Sequence, residues 1–255
     1  MNSTLAITGI GTLLSGRVEE PVLDADAVLV EDGRIAAVGS AADLADGVLT
    51  LDIGGSTLMP GLIDDHVHPV LGDYTPRQFQ SNYLEGFVHG GVTRAVSAGE
   101  VHTPNRPKER EGTKALATLA HKSFAAARVG GARVHGGALL LEEGLTEQDF
   151  LDLAAQGVHL VGEIGISGVK DPDTAEQMTR WAQAAGMTVT VHVGSKSVPT
   201  SSTIDGAFVS HVRPDVAAHV NGWAHGGGHR GRRPHPGHDR HARRGRAQRQ
   251  RACGP

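Results

Sequence analysis

Apolar and polar positions follow two different rhythms along the chain. Over residues 1–57, short β-rich runs (LAITGIGTLLSG, AVLVEDGRIAAVG, VLTLDIGGSTLMPG) are separated by turns, with Asp32-Gly33 as a hairpin signal. This stretch predicts a small antiparallel sheet layer. From residue 58 the rhythm becomes strand then helix, repeated, with strands expected at 58–66, 93–99, 132–141, 160–166, 188–194 and 216–221. Between them TKALATLAHKSFAAARV, TEQDFLDLAAQG and DTAEQMTRWAQAAG read as helices. Thr146 and Asp173 are the expected N-caps, and Gly157 and Gly186 the C-terminal stops.

Repeats of this kind predict an α/β protein whose residues 58–222 form a TIM-like (β/α)8 barrel. It is incomplete, with about six of the eight repeats, and a functional site is expected at the C-terminal ends of its strands. An open six-stranded sheet would leave two unpaired edges.

Composition alters the picture at Trp223. Residues 223–255 hold no Leu, Ile, Val, Met or Phe, but nine arginines, five histidines and one acid, Asp239. Such a basic tail buries too little apolar surface to offset its ordering entropy and is expected to be disordered. Three origins compete: a nucleic-acid-binding tail, a loose metal-binding tail, and a shift of reading frame. The last has a test in the genetic code, since Trp223-Ala224-His225-Gly226 can be written TGG GCC CAC GGC, which reads Gly-Pro-Thr-Ala one base later. A one-nucleotide shift near Gly222 is therefore the favoured hypothesis. Without the tail, residues 1–222 hold 15 basic and 27 acidic residues, a net −12, which works against nucleic acid.

No basic segment precedes an apolar run at the N-terminus, and no apolar stretch approaches the ~20 residues of a membrane span, so a soluble, cytoplasmic protein without a membrane partner is expected. The single cysteine, Cys253, excludes a thiolate cluster, which leaves histidine and carboxylate as metal ligands. At the end of the first barrel strand, His66 and His68 stand two apart and can share a face. Glu163 lies in the apolar run LVGEIGI, His192 in TVTVHVG and His219 in VAAHVNG, each near a strand end. Any one of these is by default a satisfied core polar group or a surface histidine; five at one rim favour metal. Four histidines and a central carboxylate suit two divalent ions about 3.5–4 Å apart, zinc first, with iron or manganese also fitting. The chemistry implied is hydrolysis by a metal-activated water, with a separate group moving the proton.

The run from SGRVEE through VLVEDGRIAAVGSAADL to TLDIGGSTLMPGLIDDHVH resembles the start of the urease-like amidohydrolase superfamily. GDYTPRQ (72–78), AGEVHTPNRPKEREGTKALA (98–117), KSFAAAR (122–128), VHGGALLLEEGLTEQDF (134–150) and PTSSTIDGAFV (199–209) narrow the likeness to the enamidases. It covers essentially residues 1–222. Enamidases open the ring of 6-oxo-1,4,5,6-tetrahydronicotinate to 2-formylglutarate and ammonia in nicotinate degradation. The resemblance implies that His66, His68, Glu163, His192 and His219 bind a binuclear metal centre, with Glu163 in the slot that many relatives fill with a carboxylated lysine. It implies also that residues 1–57 are the N-terminal strands of a composite β-sandwich domain, and that the full-length family forms homo-oligomers. The family's proton-carrying aspartate on an eighth strand has no match here, Asp239 being no substitute, so the chain as written is expected to be impaired.

A carboxylated lactam substrate calls for cationic partners, and Arg77, Arg106 and Lys108 in the loops after strands one and two are candidates, as solvated loop charge is for each. Tyr74 and His102 share those loops. Alternative functions are another amidohydrolase, of hydantoinase, dihydroorotase or acyl-amino-acid hydrolase type, and a non-catalytic remnant that binds metal or nucleic acid.

Overall fold

The computed structural model describes residues 4–69, 79–101, 105–166, 168–196 and 201–220, with backbone alone at 79–82. The basic tail, 223–255, lies outside the described residues. The chain divides into two compact units: Met1–Arg106 with Leu116–Ala138, and Pro107–Ala115 with Leu139–Pro255.

In the first unit the N-terminal strands are β1 (Thr4–Thr8), β2 (Thr12–Leu14), β3 (Val22–Leu23), β4 (Ala27–Glu31), β5 (Arg34–Gly39), β6 (Leu49–Asp52) and β7 (Thr57–Leu58), with a short helix α1 (Ala41–Leu44) before β6. They make two sheets, β5-β4-β1-β6 and β3-β2-β7, rather than one antiparallel layer. The β4–β5 hairpin turns at Asp32-Gly33 as expected, both residues at positive φ. Two pairings, β1 with β6 and β2 with β7, are parallel. Parallel neighbours need a long crossover between them, and local alternation of apolar residues does not reveal that return. Ile10, Leu13 and Val28 are buried together, and Ile7, Leu23, Val30 and Leu58, drawn from both sheets, pack on them.

The same unit continues with β8 (Leu62–Val67), α2 (Phe79–His89), β9 (Val92–Ser97) and, after α3 (Arg110–Ala126), β10 (Arg133–His135). These strands form a parallel sheet ordered β10-β9-β8. Val67, Ala95 and Val134 bury one face of it against Leu84 of α2 and Ala120 and Phe124 of α3. The strand expected at 132–141 is interrupted. Gly137 has a φ of +85°, which ends an extended run, and a Cβ there would meet the Ala117 carbonyl at 2.4 Å. The extended path resumes at Leu139, which already belongs to the second unit and bridges Val161 of that same unit.

The second unit holds α4 (Glu147–Ala155), β11 (Leu160–Ile164), α5 (Pro172–Ala184), β12 (Thr188–His192), α6 (Gly206–Val212) and β13 (Val216–Ala218), with a parallel sheet ordered β11-β12-β13. Every residue of β11 is buried, as parallel strands covered on both faces are. Phe150, Leu153, Val189 and Val191 are fully enclosed, and each such side chain contributes about 1.5–3 kcal/mol relative to exposure. Thr146 is the N-cap of α4 as expected. The cap of α5 is Asp171, not Asp173: its carboxylate accepts from Thr174 N–H at 2.9 Å, and Pro172 occupies the first helical position. Gly157 and Gly186 follow α4 and α5 at positive φ. Among the described residues, no helix is long and apolar enough to cross a membrane.

Candidate active site

Two strands carry an extra residue where a candidate ligand stands. Asp64 lies opposite Ala95 and Val67 opposite Ser97, so β8 holds one residue more than β9 across Asp65-His66. Val161 lies opposite Val189 and Ile164 opposite Val191, which puts the extra residue of β11 at Gly162-Glu163. Bulges of this kind bend a strand and re-aim its side chains. The β8 bulge is held by the Asp64 carboxylate, which accepts from His66 N–H at 3.0 Å.

In the second unit Glu163 is 2% exposed. Its Oε1 lies 2.9 Å from His192 Nδ1 and 3.0 Å from His219 Nε2, and the two imidazole rings are 5.2 Å apart. His192 is the last residue of β12; His219 follows β13 with a φ of 59°. A left-handed backbone at a non-glycine residue costs on the order of 1 kcal/mol or more and is found where a side chain must be aimed. The other nitrogen of His192, Nε2, donates to the Ser195 carbonyl at 2.9 Å. That contact fixes the ring and leaves Nδ1 facing the carboxylate.

Two groups that both present lone pairs come together at 2.9 Å only with a cation between them. With a proton in that place, His192 is held above its ordinary pKa, first by the hydrogen bond to Glu163, then by the Ser195 carbonyl and the charge of Glu163, against the opposing effect of burial. A divalent ion fits the same donor set, one carboxylate oxygen and two imidazole nitrogens with a backbone carbonyl behind one of them.

In the first unit the His66 and His68 rings meet edge to face, 5.1 Å between centroids. His68 Nδ1 donates to the Gly99 carbonyl at 3.0 Å, which leaves Nε2 as its candidate ligand atom. Beside them is a residue that the sequence did not single out: Glu100, 1% exposed. Burial pushes its carboxyl up to about 7, against hydrogen bonds from Gly137 N–H and Ser97 Oγ and the charge of His68.

Of the substrate-binding candidates, Tyr74, Arg77 and His102 lie outside the described residues. Lys108 is exposed, as solvated loop charge is, whereas Arg106 is only 9% exposed and has left water. Sequence reasoning missed Glu100 because a single acid in a loop ordinarily reads as solvated. It missed Ser195 because only the backbone carbonyl takes part.

Residues 27–46 match a family model described as an imidazolonepropionase-like composite domain of bacteria. Enamidase of Eubacterium barkeri is 46% identical over 224 residues, 87% of this chain and 58% of that protein. A crystal structure of enamidase, described as a new member of the amidohydrolase superfamily, superposes with a TM-score of 0.79 at 45% identity, covering 86% of this chain and 58% of the other. D-aminoacylase, whose structural description concerns a binuclear metal centre, shares the fold at 18% identity and a TM-score of 0.52, over 83% of this chain and 50% of its own. The chain thus spans somewhat over half the length of the enamidase it matches. Over nearly all of its own length it is similar in sequence and in fold to enamidase of the amidohydrolase superfamily, hydrolases of carbon–nitrogen bonds.

Proposed function

We propose that this chain derives from a metal-dependent hydrolase of cyclic amides, acting on 6-oxo-1,4,5,6-tetrahydronicotinate or a closely related carboxylated lactam. The observation that carries the metal requirement is Glu163 Oε1 within 3.0 Å of both His192 Nδ1 and His219 Nε2. The likeness to enamidase supports the substrate class. The proposed ligands are His66, His68, Glu163, His192 and His219, for two divalent ions, with zinc first and iron or manganese also suited to nitrogen and oxygen donors.

When bound, such ions activate water near neutral pH and polarise an amide carbonyl. The protein's own part is to hold the donors in place. Ser195 orients His192 and Gly99 orients His68, while the bulges on β8 and β11 aim His66 and Glu163. All five ligands are then committed, so the proton for the leaving nitrogen must come from another group. Buried Arg106 is the foremost described candidate for the substrate carboxylate.

The test is substrate loss, followed by chromatography, on incubation with the 255-residue chain loaded with zinc, iron or manganese, the substrates being the lactam, hydantoin, dihydroorotate and an N-acyl amino acid. Ammonia is released from the lactam alone, because hydrolysis of the others leaves their nitrogen in a carbamoyl or amino group. Metal-dependent loss of the lactam alone is expected. Turnover of one of the other substrates and none of the lactam overturns the substrate assignment.

A further inference from the structure

Glu100 lies outside the ligand set and yet is enclosed with one carboxylate oxygen, Oε2, that meets no partner among the described residues. Its other contacts define a place for it. Ser97 Oγ donates to Oε1 in a long 3.4 Å contact, and the same hydroxyl accepts from Gly99 N–H at 3.0 Å. Gly99 in turn presents the carbonyl that takes the N–H of His68, at a φ of 117° that side-chain-bearing residues rarely adopt. The Glu100 carboxyl also accepts from the N–H of Gly137, in the turn that follows β10. One buried side chain therefore ties together the turns leaving β9 and β10, and the first of these turns orients His68.

We infer that Glu100 is a positioning residue for the metal centre: it latches the Ser97–Glu100 turn to Gly137 and so fixes the Gly99 carbonyl that sets the His68 ring. This rests on the reading of His68 as a metal ligand. Groups that orient a metal-bound histidine commonly alter affinity by about 10–100-fold when removed. A glutamine retains both the acceptor oxygen and the volume of the side chain and should substitute for the acid, whereas alanine should not.

The experiment is a cobalt(II) titration of the full 255-residue chain, followed by the absorption of the bound ion, with the melting temperature of each metal-free form measured alongside. Glu100→Ala is expected to weaken cobalt binding about 10–100-fold, and Glu100→Gln to restore most of it. Ser97→Ala, which cuts the link between Glu100 and the Gly99 amide, is expected to weaken it in the same direction and gives the answer should Glu100→Ala fail to fold. A lowered melting temperature with unchanged cobalt affinity in both variants overturns the inference and leaves Glu100 a structural residue. If the unaltered chain binds no cobalt, the metal centre itself is wrong and the inference falls with it.

Discussion

Asp149 shows what a single buried charge does in this protein. It is fully enclosed at the start of α4, where its carboxylate accepts from Arg110 Nε at 2.8 Å, Lys114 Nζ at 2.7 Å and the Thr146 N–H at 2.7 Å. Burial works to raise its pKa, but hydrogen bonds from Arg110, Lys114 and Thr146 outweigh it and hold the carboxyl well below the usual carboxylate range. A depressed pKa stabilises the folded state above the unfolded value of about 3.9, and that contribution is lost as pH falls towards the folded value. Asp149→Ala is expected to cost about 2 kcal/mol at pH 7, a modest figure because Arg110 is half-exposed and can turn to solvent. Urea denaturation at pH 7 and at pH 3 checks this: the difference between the two proteins should shrink at the lower pH. A difference that stays constant would show that packing, and not charge, holds this corner. The network escaped the sequence reading because Arg110 and Asp149 are 39 residues apart and only the fold brings them together.

At the scale of elements, periodicity and stop signals located β8, β9, β11, β12 and β13 and the helices α3, α4 and α5, because each is an apolar run closed by glycine or a polar cap. Pairing was harder to read. The parallel returns of β6 to β1 and β7 to β2 depend on chain segments far from the strands themselves. The displaced cap of α5 has a local reason: in DPDT, Pro172 needs no donor and fits the first helical position, so the acid before it caps and the acid after it falls in the first turn. Asp171→Ala should therefore lower the melting temperature measurably, and Asp173→Ala by less. The reverse order would restore Asp173 as the cap. Helix α2 (Phe79–His89) went unpredicted because the sequence offers no Ser, Thr, Asp or Asn directly before Phe79 as a start signal.

For the whole molecule, the parallel sheets and the strand-end positions of His66, Glu163, His192 and His219 were legible, because polar residues within apolar strands stand out against their surroundings. The bulges on β8 and β11 were not, since one extra residue in a ladder is visible only against its partner strand. The claim on which everything else depends is that Glu163, His192 and His219 hold a divalent ion. It is tested most directly by loading the chain with zinc, dialysing, and measuring bound zinc by mass spectrometry in the unaltered protein and in Glu163→Gln. The account predicts that the unaltered chain retains zinc, with protons released as it binds, and that Glu163→Gln loses most of it while staying folded. Equal zinc in both proteins, or none in the unaltered one, would contradict it.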